Sequence, residues 1–273
     1  MTMHYSIKHQ TIFEFEETPR SVIQRLHLTP LSITHQRILN WDIIVEGCEI
    51  ELETQDYHGN HIHLCKNDVG SNKIIISSVG NVEVNDTNGI IGKHQSPIPL
   101  ILFNRPTILS KPGTRVKKIR DQIKRLQKKE GFDELTLLHQ LSSLIRANIA
   151  YLKGKTTTST TAEKALELGA GVCQDHVHAF LSVSRLLGYS ARYVSGYLMM
   201  DETIIQEASH AWAEVYLDAI GWVGFDISNG ISPDERYIKL ATGFDYRDVI
   251  PLSGVRQGTG EETISTQIAI SQQ

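Results

Sequence analysis

The chain has 273 residues, with 27 Lys or Arg against 31 Asp or Glu and a net charge of -4. That balance argues against a general nucleic-acid binder, and no segment is apolar for long enough to span a bilayer. Apolar residues at 40% are ample for one large or two ordinary globular domains. The first residues, Met1-Thr2-Met3-His4-Tyr5, lack a basic stretch followed by an apolar one, so no secretory signal is expected. Three widely spaced cysteines do not make a disulfide framework. A reducing cytoplasm fits that usage and leaves the thiols free.

The first hundred residues read as strands. Tyr5, Ile7, Phe13 and Phe15 fall on odd positions, a period of two. Further runs at 22–28, 41–52, 62–64 and 74–84 are separated by Gly-Asn, Gly-Ser and Asn-Gly turn signals. An antiparallel sandwich or barrel is expected. Residues 96–113 carry prolines 97, 99, 106 and 112 and read as a linker. Helical spacing then begins, with Val116, Ile119, Ile123 and Leu126, then Leu137, Leu138, Leu141, Leu144, Ile145 and Ile149. Thr160 with Glu163 predicts a capping box for a short helix over 162–168, ended by Gly169-Ala170-Gly171. A further helix is predicted over 173–187, closed by Gly188. Strands return at 191–198, 210–217, 222–226 and 264–270. The Thr-rich tract 156–161 reads as a solvated loop.

The chemistry gathers at the start of the helix over 173–187. Cys173 sits at its N-terminus, where unpaired N–H groups and the helix dipole favour a thiolate. The same N–H groups suit the oxyanion formed when a thiolate attacks a carbonyl. Gly169 and Gly171 permit a tight turn and clear the approach to the sulfur. A cysteine there is equally compatible with a small buried packing residue, so later residues must decide. His210 shares a strand face with Trp212, Glu214 and Tyr216. The turn at 218–221 returns the chain so that Asp226 lies beside the residues just after His210, within reach of the imidazole. Thiol, imidazole and carboxylate in that order form the inventory of thiol acyl transfer.

Residues 171–175 (Gly-Val-Cys-Gln-Asp), 191–197 (Ala-Arg-Tyr-Val-Ser-Gly-Tyr), 209–212 (Ser-His-Ala-Trp) and 221–226 (Gly-Trp-Val-Gly-Phe-Asp) together resemble the bacterial transglutaminase-like superfamily, in its cysteine peptidase branch. The resemblance extends to 151–156, 243–249 and 251–255. Residues before about 105, including Asp56-Tyr57-His58-Gly59-Asn60, look like that family's β-rich N-terminal domain. It implies an α+β chain: an N-terminal antiparallel β domain over 1–105, then a papain/transglutaminase-like domain over 106–273. In the second, the nucleophile stands at a helix N-terminus packed on an antiparallel sheet. It implies Cys173 as nucleophile, His210 as base and acid, and Asp226 as the orienting carboxylate. The implied reaction is attack on an amide of a peptide or protein substrate, ending in hydrolysis or in transamidation, with no cofactor and no metal. A non-catalytic peptide-binding module is the competing reading. Where the family has Pro-Thr-Asn after the Asp, this chain has Ile227-Ser228-Asn229, so a changed loop is expected.

Gln174 and Trp212 are candidates for the oxyanion or substrate contacts. His176 shares a helical face with Cys173 and is an alternative base, but no carboxylate is placed to orient it. Asp175 is expected to complement the dipole, and His178 to make internal hydrogen bonds. His58, His61, His63 and Cys65 invite a metal reading, yet their spacing fits no standard zinc pattern and a solvated hairpin is expected instead. Residues 115–129 hold eight Lys or Arg against one Asp. That run reads as a solvated helix face rather than a dock for an acidic partner or membrane. Cys48 and Cys65 are expected to be inert.

Overall fold

A computed structural model describes residues 2–127, 133–200, 205–206 and 208–273. Strands β1 (Thr2–Phe15), β2 (Ser21–Leu26), β3 (Gln36–Glu46), β4 (Cys48–Gln55), β5 (His61–Asn67), β6 (Lys73–Asn85) and β7 (Ile90–Gly92) come first. They are followed by α1 (Thr114–Gln127), α2 (Glu134–Asn148), β8 (Ala150–Tyr151), α3 (Ala162–Leu168), β9 (Ala170–Gly171) and α4 (Cys173–Leu186). The remaining strands are β10 (Ala191–Leu198), β11 (Ile205–Gln206), β12 (His210–Leu217), β13 (Gly221–Phe225), β14 (Tyr237–Gly243), β15 (Leu252–Gln257) and β16 (Glu262–Gln272).

Three antiparallel sheets result, ordered β11-β16-β1-β6-β3, β15-β2-β5-β4 and β14-β10-β12-β13-β7. The long strand β1 serves two cores. Phe13 and Phe15 pack with Val22, Leu26, Cys48 and Cys65 between the first two sheets. Tyr5 and Ile7 pack with Tyr197, Ile238 and Leu240 of β10 and β14. The run read as one strand over 41–52 is broken at Gly47, which turns with φ +72° against the Lys73 carbonyl and leaves no room for a Cβ.

The sheets do not divide at residue 105. β15 pairs with β2 and β16 with β1, so the last two strands complete the N-terminal sheets. β7 pairs in turn with β13. The proline-rich segment is packed rather than a free tether. Phe103 and Ser110 are buried in it, and the α4 side chain Arg185 donates to the Phe103 carbonyl and to Ser110.

The helices bury the predicted apolar stripes, and α4 lies innermost, buried continuously from Asp175 to Arg185. Its far side packs on Ala211, Ala213 and Val215 of β12. Gly188 ends it with φ +99°. The predicted capping box at α3 is corrected in detail. Thr161, not Thr160, caps the helix by accepting from Lys164, while Glu163 reaches away to accept from the Arg115 and Val116 N–H groups that open α1. In α1 Val116, Ile119 and Ile123 face inward; Lys128 and Lys129 of the basic run lie outside the described residues. Among the described residues no helix is long and apolar enough to cross a membrane.

Candidate active site

Cys173 is the first residue of α4, and the turn before it is tightly fixed. The Asp175 carboxylate accepts from the Val172 N–H (2.8 Å) and from the Thr156 hydroxyl (2.7 Å), tying the helix start to the Thr-rich loop. A Cβ at Gly171 would lie 2.6 Å from the Asp175 side chain, so only glycine fits there. Asp175 is therefore a cap as well as a dipole partner. Burial pushes its carboxyl above the usual range, against the pull of those donors. The Thr-rich tract is exposed at 157–159, as expected of a solvated loop, and also braces the turn before Cys173: the Thr158 carbonyl accepts from the Gln174 amide at 3.2 Å. That bond spends one Gln174 donor on the loop. The N–H groups of Cys173 and Gln174 belong to the first helical turn and have no earlier carbonyl within the helix to bond.

His210 opens β12 and Asp226 follows β13. The two strands pair with Ala213 opposite Phe225, which sets Asp226 diagonally across from His210. His210 Nε2 lies 2.6 Å from Asp226 Oδ2, and the Cys173 sulfur meets the same ring. Burial alone would lower the His210 pKa. The bonds to Asp226 and Cys173 and the charges of both outweigh it and raise the value to about 10. Asp226 is fully buried. Burial works against its ionised form, but His210, Tyr237 and Asn229 hold its carboxyl below the usual range. Its Oδ2 accepts from the Tyr237 hydroxyl and from Asn229 Nδ2, each at 2.7 Å, and its Oδ1 accepts from the Asn229 N–H at 3.2 Å.

The altered loop after Asp226 keeps that support. Ile227 is wholly buried in the helical core. Asn229 supplies the bonds just given. His176 donates from Nε2 to the Ile149 carbonyl (2.8 Å), which leaves Nδ1 to accept from the Ser228 hydroxyl (3.0 Å). His176 is thus committed to the scaffold, with burial lowering its pKa, and is not placed as a base toward Cys173. His178 is buried and held near a pKa of about 4 by desolvation; its Nε2 accepts from the Tyr246 N–H at 3.3 Å. Trp212 is buried against Tyr237, Val194 and Leu198, with its ring 6.4 Å from that of His210, so it walls the imidazole.

On the face shared by His210, Trp212, Glu214 and Tyr216, Trp212 and Glu214 are buried while His210 and Tyr216 are partly exposed. Glu214, fully buried, accepts from Arg192 Nε at 2.7 Å and pairs with Lys239 Nζ. Burial opposes the Glu214 charge, but the two cations carry its pKa down to about 2. At Lys239 burial wins over the carboxylate and lowers the value to about 8. Arg192 also lies 4.1 Å over the Trp222 ring. The hairpin at 58–65 is likewise not solvated. His58 and His63 are buried, and His58 packs on Phe244 and Phe103 and faces Asp248. No group of three metal-ligand side chains occurs among the described residues. Cys48 and Cys65 are buried in one core.

A cleft of about 820 Å³ opens beside His210, lined by Tyr151, Leu198, Met200, Ser209, Ser228 and Asn229 among others. Tyr151 is half-exposed there and stacks on His176. Burial first, then Cys173 and Asp226, push its hydroxyl up to about 12, so it remains a neutral donor.

Residues 119–227 match the transglutaminase-like superfamily, and residues 5–83 the bacterial transglutaminase-like N-terminal region. The chain belongs to the transglutaminase-like superfamily. An uncharacterized protein of Mycobacterium leprae is 26% identical over 278 residues, 97% of each chain. An uncharacterized protein of Mycobacterium tuberculosis is 36% identical over 138 residues, which is 47% of this chain and 44% of that one. A crystal structure from Cytophaga hutchinsonii, of a protein provisionally assigned as a cysteine protease, superposes with a TM-score of 0.77 at 21% identity. The match covers 100% of this chain and 91% of that chain, and at that identity it speaks to the fold. The expected α+β transglutaminase-like fold is the one observed.

In this transglutaminase-like chain, sequence reasoning missed Tyr237 and Asn229, the two further donors to Asp226, and Tyr151 at the cleft. Asn229 carried a signal, because the family's Asn survives in the altered loop. Tyr237 lies on β14, which shows no alternation because it is buried on both faces.

The site makes stability depend on pH. His210 has a folded-state value near 10, above the 6.5 of a free imidazole. Its contribution is therefore complete below about pH 6.5 and is lost as pH rises toward about 10. Asp226, lowered, contributes above the ordinary carboxylate range and loses that contribution on acidification. The melting temperature of the parent is expected to fall between about pH 7 and pH 10 more steeply than that of His210→Gln. Thermal melts across that window check it.

Proposed function

We propose that the chain is a thiol acyl-transfer enzyme acting on amide bonds through Cys173, His210 and Asp226, with hydrolysis of a peptide or isopeptide link as the net reaction. The observation that carries this reading is the His210 imidazole, held by a buried carboxylate at 2.6 Å, with the Cys173 thiol close enough to help raise its pKa. With Nε2–H donating to Asp226, Nδ1 is left for the thiol proton.

The steps follow from that geometry. The Cys173 proton passes to His210, and the thiolate adds to the amide carbonyl carbon. The N–H groups at the start of α4 receive the oxyanion. His210 returns its proton to the amide nitrogen, the C–N bond breaks, and an amine leaves with the acyl group held as a Cys173 thioester. Water, deprotonated by His210, adds to the thioester carbonyl; the C–S bond breaks, releasing a carboxylic acid and restoring the thiol. An amine in place of water gives transamidation. The cleft wall at Tyr151 is half-exposed, which favours water as acceptor.

The test is turnover of a peptide and isopeptide library by the parent and by Cys173→Ala, with and without a millimolar primary amine. Cleavage that needs Cys173 and proceeds unchanged with amine present supports hydrolysis. Amine-linked products as the main outcome support transamidation. Identical processing by parent and variant removes the enzymatic reading.

A further inference from the structure

β14 is an edge strand: within its sheet only β10 pairs with it. Its first residue, Tyr237, reaches the Asp226 carboxylate at 2.7 Å, and its ring lies 6.0 Å from that of His210. The position of one donor to the orienting carboxylate thus depends on a strand whose outer edge has no strand partner. That edge is held by two side-chain amides from the N-terminal half. Gln36, at the start of β3, accepts from the Lys239 N–H at 2.7 Å and donates to the Lys239 carbonyl at 2.9 Å. Asn60, in the turn between β4 and β5, accepts from the Thr242 N–H and donates to the Thr242 carbonyl, both at 2.9 Å. Each amide reproduces the paired bonds of a neighbouring strand.

Both amides are themselves fixed and buried. Gln36 Nε2 also donates to the Leu31 carbonyl at 3.0 Å. Asn60 is set by Asp56, whose two oxygens accept from its backbone N–H (2.9 Å) and its Nδ2 (2.8 Å). On either side of the Lys239 clamp, Ile238 and Leu240 insert into the core formed by Tyr5, Ile7, Val82 and Val84 of β1 and β6. Protecting an edge from stray pairing requires only a charge, a proline or a bulge. Two bidentate amides, at Lys239 and Thr242 on the C-terminal side of Tyr237, fix the strand's position along its length as well.

We propose that the N-terminal half positions the candidate catalytic carboxylate: Gln36 and Asn60 are positioning residues that hold β14 so that Tyr237 keeps Asp226, and through it His210, aimed at Cys173. The inference rests on the triad reading above but is tested without an amide substrate. Its readout is the rate at which iodoacetamide alkylates Cys173, followed on the peptide that contains it, at about pH 6 relative to about pH 9. A well-placed imidazole takes up the thiol proton; a displaced one does not.

Gln36→Met and Tyr237→Phe are each expected to lower that ratio about threefold or more, with Gln10→Met as the control on a distant glutamine. The double variant Gln36→Met/Tyr237→Phe is expected to lower it no further than Tyr237→Phe alone, because both act through one bond. Asn60→Ser gives a second reading from the other clamp should Gln36→Met fail to fold. A fall in melting temperature with an unchanged ratio, or effects that multiply in the double variant, overturns the proposal. Absence of amide turnover with the ratio still shifted overturns the acyl-transfer reading and leaves the positioning role standing.

Discussion

Asp226→Asn is expected to lower turnover about 10⁴-fold while leaving the fold largely in place. The reason is the donor count around the carboxylate. Asp226 Oδ2 accepts from His210, Tyr237 and Asn229. An amide has one oxygen, and its NH₂ must face a group that now has to accept. The Asn229 NH₂ can only donate, whereas the Tyr237 hydroxyl can turn and His210 can move its proton to accept, so Nε2 of His210 becomes an acceptor. Its proton then sits on Nδ1, facing Cys173, where no base remains to take the thiol proton. Steady-state kinetics on any substrate of the parent checks the loss. A drop of less than about tenfold would mean that Asp226 supports packing more than chemistry.

Glu214→Ala costs about 3–5 kcal/mol of stability, the largest structural loss expected from a single change near the site. Glu214 is fully buried and lies between Arg192 and Lys239. Without it two cations face each other in the interior. Lys239, already lowered to about 8, can shed its proton. Arg192 cannot, and it keeps only the Trp222 ring beneath it. Glu214 is what raises Lys239 against burial, so without it Lys239 loses its proton below about pH 8, and the penalty is expected to shrink as pH rises toward about 8. Glu214→Gln, which keeps the volume and part of the hydrogen bonding, is expected to lose less. Denaturant melts at two pH values measure both variants. Equal stability of Glu214→Ala and parent would show that the cluster relaxes without cost.

Local signals predicted much of this molecule. The helix that Cys173 opens, its glycine turn and the β12–β13 hairpin are encoded within about twenty residues each, so periodicity, caps and turn residues sufficed to place Cys173 beside a helix start and Asp226 across from His210. What escaped depends on partners distant in the chain. His58 looked solvated because its cover, Phe103 and Phe244, lies far away in sequence. The Thr-rich tract looked idle because its role is to hydrogen-bond Asp175. A cut at residue 105 looked natural because the strands that complete β1 and β2 come from the last part of the chain. Tyr237 was hidden because β14 is buried on both faces, Ile238 and Leu240 against β1 and β6 and Ala241 against the helical core, and so shows no period. The family motifs pointed to Cys173, His210 and Asp226, and the geometry brings these three together. They did not reveal the donors that hold Asp226.

The most direct test of the central claim is intact-mass spectrometry of the protein quenched in acid during incubation with reactive peptide amides and esters. The account predicts an added mass equal to the acyl group, located on the peptide containing Cys173, released by neutral hydroxylamine as a thioester is, and missing in Cys173→Ala. Acylation that persists in Cys173→Ala, or amide turnover with no acyl group ever carried on Cys173, would contradict it.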